Sequence, residues 1–188
     1  NIEEAIAIAR SREMFVSESF MIGSAKDQKA ILIEKIPSQM DIVEPKDELI
    51  TSTNHYQGAT LAQKPINLKA MENSASVYRQ NRLLELIQQK APLNTQKAAD
   101  ILRDKNGLGN KDIGLGNEKA INQLIAHHSI IMMPDSLRMW VSASPFQLGA
   151  YVCYDLKKVF QQHAKPKNGT VSEASFLIAP DTFLLSPE

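Results

Sequence analysis

Between Phe20 and Thr53 four short apolar runs follow one another so closely that no helix fits between them. They are Phe20–Ala25, Ala30–Ile36, Met40–Val43 and Glu48–Thr53. The polar break Lys26-Asp27-Gln28-Lys29 has the length of a hairpin loop, and Pro45 parts the last two runs. Strands joined this tightly pair antiparallel, because a parallel return needs a crossover of roughly a dozen residues. The region 18–54 is therefore expected to be an antiparallel meander whose last strand ends at Thr53-Asn54.

Helical spacing brackets this meander. Ile2, Ile6, Ala9 and Glu13 follow one stripe, widened by Ala5 and Ile8, which predicts a helix from Ile2 to Phe15. Gly58 to Glu72, with Pro65 inside it, reads as irregular loop. A second helix is expected from Ser76 to Lys90, stopping before Pro92. A shorter one, Gln96 to Arg103, is capped by Asn94 or Thr95.

The stretch 104–118 repeats Gly-Leu-Gly-Asn at 107–110 and 114–117 and reads as a long exposed loop. It lacks the third glycine and the strand–turn–helix frame of a dinucleotide loop. Ala120–Met133 and Leu137–Ser144 are expected to form a hairpin closed by Pro134-Asp135-Ser136. A further strand, Gln147–Tyr154, and a short helix, Leu156–Gln162, follow. The fold class is α+β, mostly antiparallel. One domain is expected over 1–162, followed by a tail at 163–188 whose one apolar run is Ala174–Ala179.

Composition removes several functions. The 188 residues carry 21 basic and 21 acidic side chains, so net charge gives no reason to expect nucleic acid or an anionic membrane as partner. No apolar run approaches the ~20 residues of a membrane span. A single cysteine, Cys153, excludes an internal disulfide framework and lies in an apolar strand, where thiols are usually inert. His127-His128 would face opposite ways along a strand and have no Cys, Asp or Glu at ligand spacing, so neither a metal nor a cofactor is expected.

Two residues carry the chemistry. Asn54, at the expected strand end, can hold its carboxamide NH2 toward a cavity and donate to a carbonyl oxygen as negative charge builds on it. The alternative is an Asn that caps a turn after the strand. At about 100° per residue, Val77, Leu83, Leu84, Leu86, Ile87 and Ala91 span one arc of the second helix. Arg79 projects inside that arc and Arg82 just outside it. A guanidinium there needs a partner or ligand, or snorkels to solvent from the arc's edge. On a strand, His55 would point away from Asn54, which suits packing or a supporting role rather than proton transfer.

These segments resemble, in order, the carboxyl-side part of the N-terminal-nucleophile hydrolases that cleave linear amides. That group holds the choloylglycine hydrolases, acid ceramidase and the isopenicillin-N acyltransferase branch. The resemblance is carried by Ile31-Leu32-Ile33-Glu34, Thr53-Asn54-His55 and Ser76-Val77-Tyr78-Arg79-Gln80-Asn81-Arg82-Leu83-Leu84-Glu85-Leu86. Further along, Ile101-Leu102-Arg103-Asp104 and the His128–Pro145 hairpin with Met139-Trp140-Val141 extend it over residues 1 to 160.

It implies a four-layer αββα sandwich, a cysteine nucleophile at a new amino terminus, Asn54 in the oxyanion hole and Arg79 lining the site. The family's Cys, and the Arg and Asp that follow it, have no counterpart here, and Asn1 cannot replace a thiol. The chain opens on a helix cap and reads as cut from a longer precursor. Its expected partners are an N-acyl amide substrate, the missing amino-terminal segment and a second copy of itself. The resemblance also implies no turnover by this chain alone. The alternative is a binding or interaction module on the same scaffold without chemistry.

Overall fold

Strand β2 (Lys29–Ile36) buries five side chains in succession, Ile31 to Lys35, and the first half of the molecule is organised around it. The computed structural model describes residues 1–161 and 171–185. Among these the protein is α+β, with five α-helices and two antiparallel sheets of three strands each. The chain divides into two compact units, Asn1–Leu84 and Glu85–Glu188.

In the first unit β2 lies between β1 (Glu18–Ser24) and β3 (Gln39–Val43), both antiparallel to it. Successive side chains of a strand point to opposite faces, so a fully buried run must be covered on both. Ile31 and Ile33 pack with Ile2, Ile6 and Ala9 of helix α1 (Ile2–Ser11). On the same face Lys35 sends its ammonium to the carbonyls of Ala9 and Arg12. Those two bonds close the helix at Ser11, short of the expected Phe15, and Phe15 stands almost wholly exposed.

The opposite face of β2 carries Glu34, which is fully buried and sits beside Asp41 in the register with β3. Glu34 accepts hydrogen bonds from the backbone N–H of Gln57 (2.9 Å) and Gly58 (2.8 Å). Asp41 accepts from those of Thr60 and Leu61, both at 2.7 Å. Two carboxylates thus take the backbone donors that a strand would have offered to a neighbour.

The expected strand Glu48–Thr53 is corrected, since no strand forms there. Positive φ at Asp47 (50°) and Glu48 (61°) turns the chain back on itself, and only Lys46 and Leu49 pair. From Ile50 the backbone runs as an irregular segment held to the sheet by side chains. The expected loop 58–72 is also corrected, because Pro65–Asn73 forms helix α2 with Pro65 in its first turn. Proline's missing N–H costs nothing in that turn, where no helical acceptor exists.

Helix α3 runs from Ser76 to Lys90, as expected. In the second unit Asn94 caps α4 (Thr95–Leu102) by accepting from Lys97 N–H at 2.9 Å. Strand β5 (Arg138–Ser142) lies between β4 (Ile130–Met133) and β6 (Tyr151–Asp155), with α5 (Leu156–Gln161) after it. Ala99, Ile131, Trp140, Tyr151, Cys153 and Ile178 form the core. Arg103 is buried beside it, its Nη2 donating to the carbonyls of Gly149 (2.7 Å) and Ala179 (2.9 Å) and its guanidinium lying over the Tyr151 ring.

The hairpin is shorter than expected, since residues 120–129 are irregular. Asn122 and Gln147 side chains reach the carbonyls of Phe146, Gln123 and Ala126, drawing that segment away from strand pairing. The next strand starts at Tyr151 rather than Gln147, where φ is 63°. The repeated Gly-Leu-Gly-Asn segments are turns, with positive φ at Gly109, Asn110, Gly114 and Gly116. Ile178 pairs with Tyr151 across two backbone bonds, which places part of the Ala174–Ala179 run against β6. Of the expected short helix and tail, residues 162–170 and 186–188 lie outside the described residues.

Candidate functional site

The irregular segment after Ile50 and the start of α2 border a cleft of about 780 Å³. Ser52, Thr53, Asn54, His55, Tyr56 and Lys64 contribute its polar wall, with Ser17, Glu18 and Ser19 at the start of β1. Ile36, Pro37, Ile66 and Ala70 supply apolar surface. The site is therefore built where carboxylates on the sheet hold a loop in a fixed shape.

Asn54 lies at the edge of this cleft and is exposed, in contrast to the dry position its chemistry suggested. Arg79 is half-buried on α3 and donates from Nη2 to Asn54 Oδ1 at 2.6 Å. A guanidinium has only donors, so the carboxamide atom facing it must be the oxygen. The Asn54 amide is thereby oriented, with its NH2 turned away from Arg79. The structure brings the two predicted site residues together, although Arg79 is not among the described residues lining the cleft. It reaches the cleft through Asn54.

His55 corrects the expectation of opposite faces, because Asn54 and His55 both line the cleft. The alternation rule holds for strands, and this segment is not one. His55 Nδ1 lies 2.9 Å from Ser76 Oγ and 3.1 Å from Thr53 Oγ1. Burial holds its imidazole below the usual histidine pKa, which keeps the ring neutral near pH 7. Ser76 is fully buried at the start of α3, so the ring is fastened to a rigid element.

The burial of two charged side chains of this unit escaped the sequence reading. Arg82, placed just outside the apolar arc, is 1% exposed, whereas Arg79 within the arc is half-buried. Glu34 is pushed above the usual glutamate pKa, chiefly by burial and against the pull of its two N–H donors. A charged pair inside the apolar run Ile31-Leu32-Ile33-Glu34-Lys35-Ile36 was the available signal. Charges rarely survive inside a strand without dedicated partners.

Cys153 is fully buried on β6. Burial raises its thiol pKa, although Arg138, a cation the sequence did not place nearby, opposes this. His127 and His128 lie before β4 rather than in a strand, their rings in edge contact. Among the described residues no group of His, Cys, Asp and Glu could hold a metal ion, and no helix is long and apolar enough to cross a membrane. Compared with models of known protein families, with curated proteins and with solved structures, the chain finds no match in any of the three.

Proposed function

We propose that this chain is a segment of a cysteine N-terminal-nucleophile amidohydrolase or acyltransferase acting on linear amides. It supplies an oxyanion donor and site-lining residues, while the thiol comes from polypeptide outside these residues. The observation that carries the reading is the Arg79–Asn54 bond, which turns the Asn54 NH2 away from the guanidinium at the edge of a cleft. The thiol attacks the acyl carbon and charge develops on the carbonyl oxygen. Asn54 donates to that oxygen; the thiol's proton, taken up by the nucleophile's own α-amino group, passes to the nitrogen as the C–N bond breaks, and the amine departs.

Covering by substrate and by the nucleophile-bearing segment dries the exposed amide and strengthens the bond where charge develops. Phe20 and Met21, exposed on the outer strand β1, support such a covering segment or a second copy.

The exposure of Asn54 favours a second reading, a binding module that holds an amide-bearing ligand without cleaving it. One experiment separates the two. The full-length protein is incubated with a panel of N-acyl amides and free amine is measured. Amine release supports the enzyme, and saturable binding without release supports the module.

A further inference from the structure

Asn54 stands midway along residues 51–57, and the two ends of that stretch are tied to each other. Gln57 Nε2 donates to the Thr51 carbonyl at 2.7 Å. A carbonyl only accepts, so this bond fixes which way the Gln57 amide lies and turns its Oε1 to Gln80. Gln80 meets that oxygen with Nε2 at 3.0 Å and donates from the same nitrogen to Thr51 Oγ1 at 3.2 Å. Its own Oε1 is left for the Thr53 hydroxyl, 3.1 Å away. One carboxamide thus holds Thr51, Thr53 and Gln57 together. Among uncharged side chains only an amide carries both NH2 donors and an acceptor in one plane.

Ser76, Arg79 and Gln80 follow one another at i, i+3 and i+4, which puts them on one face of α3. Arg79 orients the Asn54 side chain. The backbone that carries Asn54 is set by other bonds. Thr53 donates to the Ser76 carbonyl at 3.1 Å, His55 is fastened to Ser76 Oγ, and Gln80 ties the base. Gln80 is half-buried and, like Gln57, is not among the described residues lining the cleft.

We propose that Gln80 is a positioning residue for the Asn54 amide, tying residues 51–57 at their base so that the NH2 stands at a fixed place in the cleft. Its service in amide cleavage rests on the function proposed above. A group displaced by ~1 Å from the reacting atoms can cost about 10²-fold in rate. Loss of the Gln80 tie is felt through the placement of Asn54, and so cannot exceed the loss of Asn54 itself.

Hydrogen exchange of the side-chain amides in the full-length protein, followed in nitrogen-15 correlation spectra, tests the tie. Both Nε2 protons of Gln80 are expected to exchange more slowly than those of an exposed glutamine, and equal rates overturn the proposal. Gln80→Met keeps the length of the side chain and removes its hydrogen bonds. In the full-length protein it is expected to lower kcat by up to ~10²-fold with KM unchanged, because the misplaced donor acts in the transition state. Added to Asn54→Ala it is expected to cost nothing further, since the group it places is gone. Full turnover in Gln80→Met, or the same loss with and without Asn54, overturns the role and leaves the oxyanion donor standing. If Gln80→Met does not fold, exchange in the unsubstituted protein still decides the tie. Full turnover in Asn54→Ala removes the proposed function instead, and the exchange rates then decide the tie alone.

Discussion

At the scale of single residues the site depends on which atom of an amide faces a cation. Arg79 settles this for Asn54, since the guanidinium accepts nothing. Arg79→Ala is expected to lower turnover less than loss of Asn54 itself, because the amide remains but is no longer oriented. His55 gives a second expectation, in stability. Its folded-state pKa is depressed, so below the ordinary value of about 6.5 the unfolded chain binds a proton that the folded ring resists. Stability is full above that value and falls as pH drops through the depressed one. Denaturant titrations from pH 7.5 downward are expected to show this slope, reduced in His55→Gln; equal slopes would contradict the cause. That Arg79 needs a partner was legible because helical angle is local, and Asn54 Oδ1 supplies one. The neighbourhood of His55 was not, since it depended on a strand that tertiary contacts removed.

Among the elements, the loop 51–60 takes its shape from β2 and β3 rather than from its own sequence. A Cβ added to Gly58 would lie 2.3 Å from Asp41 Cβ, and no flexible chain end is there to yield. Gly58→Ala is expected to cost ~1–3 kcal/mol in chemical denaturation, the range of an overpacked site. Glu34→Ala, which leaves the N–H groups of Gln57 and Gly58 without their carboxylate, is expected to cost about 1–3 kcal/mol for each donor left unsatisfied. An unchanged midpoint in either variant would show that the loop is held otherwise. Helices α3 and α4 and the strands of the first hairpin were readable from period and caps. The failed strand at 48–53 and the missed helix α2 share a cause. Apolar content at 48–53 marked a strand where positive φ at Asp47 and Glu48 turns the chain out of pairing, and Pro65 marked a break where it begins a helix.

At the scale of the whole molecule, Cys153 offers a native reporter. As the chain's one thiol, and fully buried, it is expected to resist a thiol reagent in buffer and react in full once urea unfolds its unit. Rapid labelling of the folded protein would contradict the packing of β6. The α+β class was legible from the spacing of the runs, while the division at Leu84 and Glu85 falls inside α3, where no linker composition marks it. The most direct test of the proposed chemistry is the turnover number of the full-length protein on an N-acyl amide it cleaves, beside that of Asn54→Ala. A loss of ~10²–10³-fold, the effect of removing one oxyanion donor, is expected. Equal turnover in the folded variant would contradict a role for the Asn54 amide.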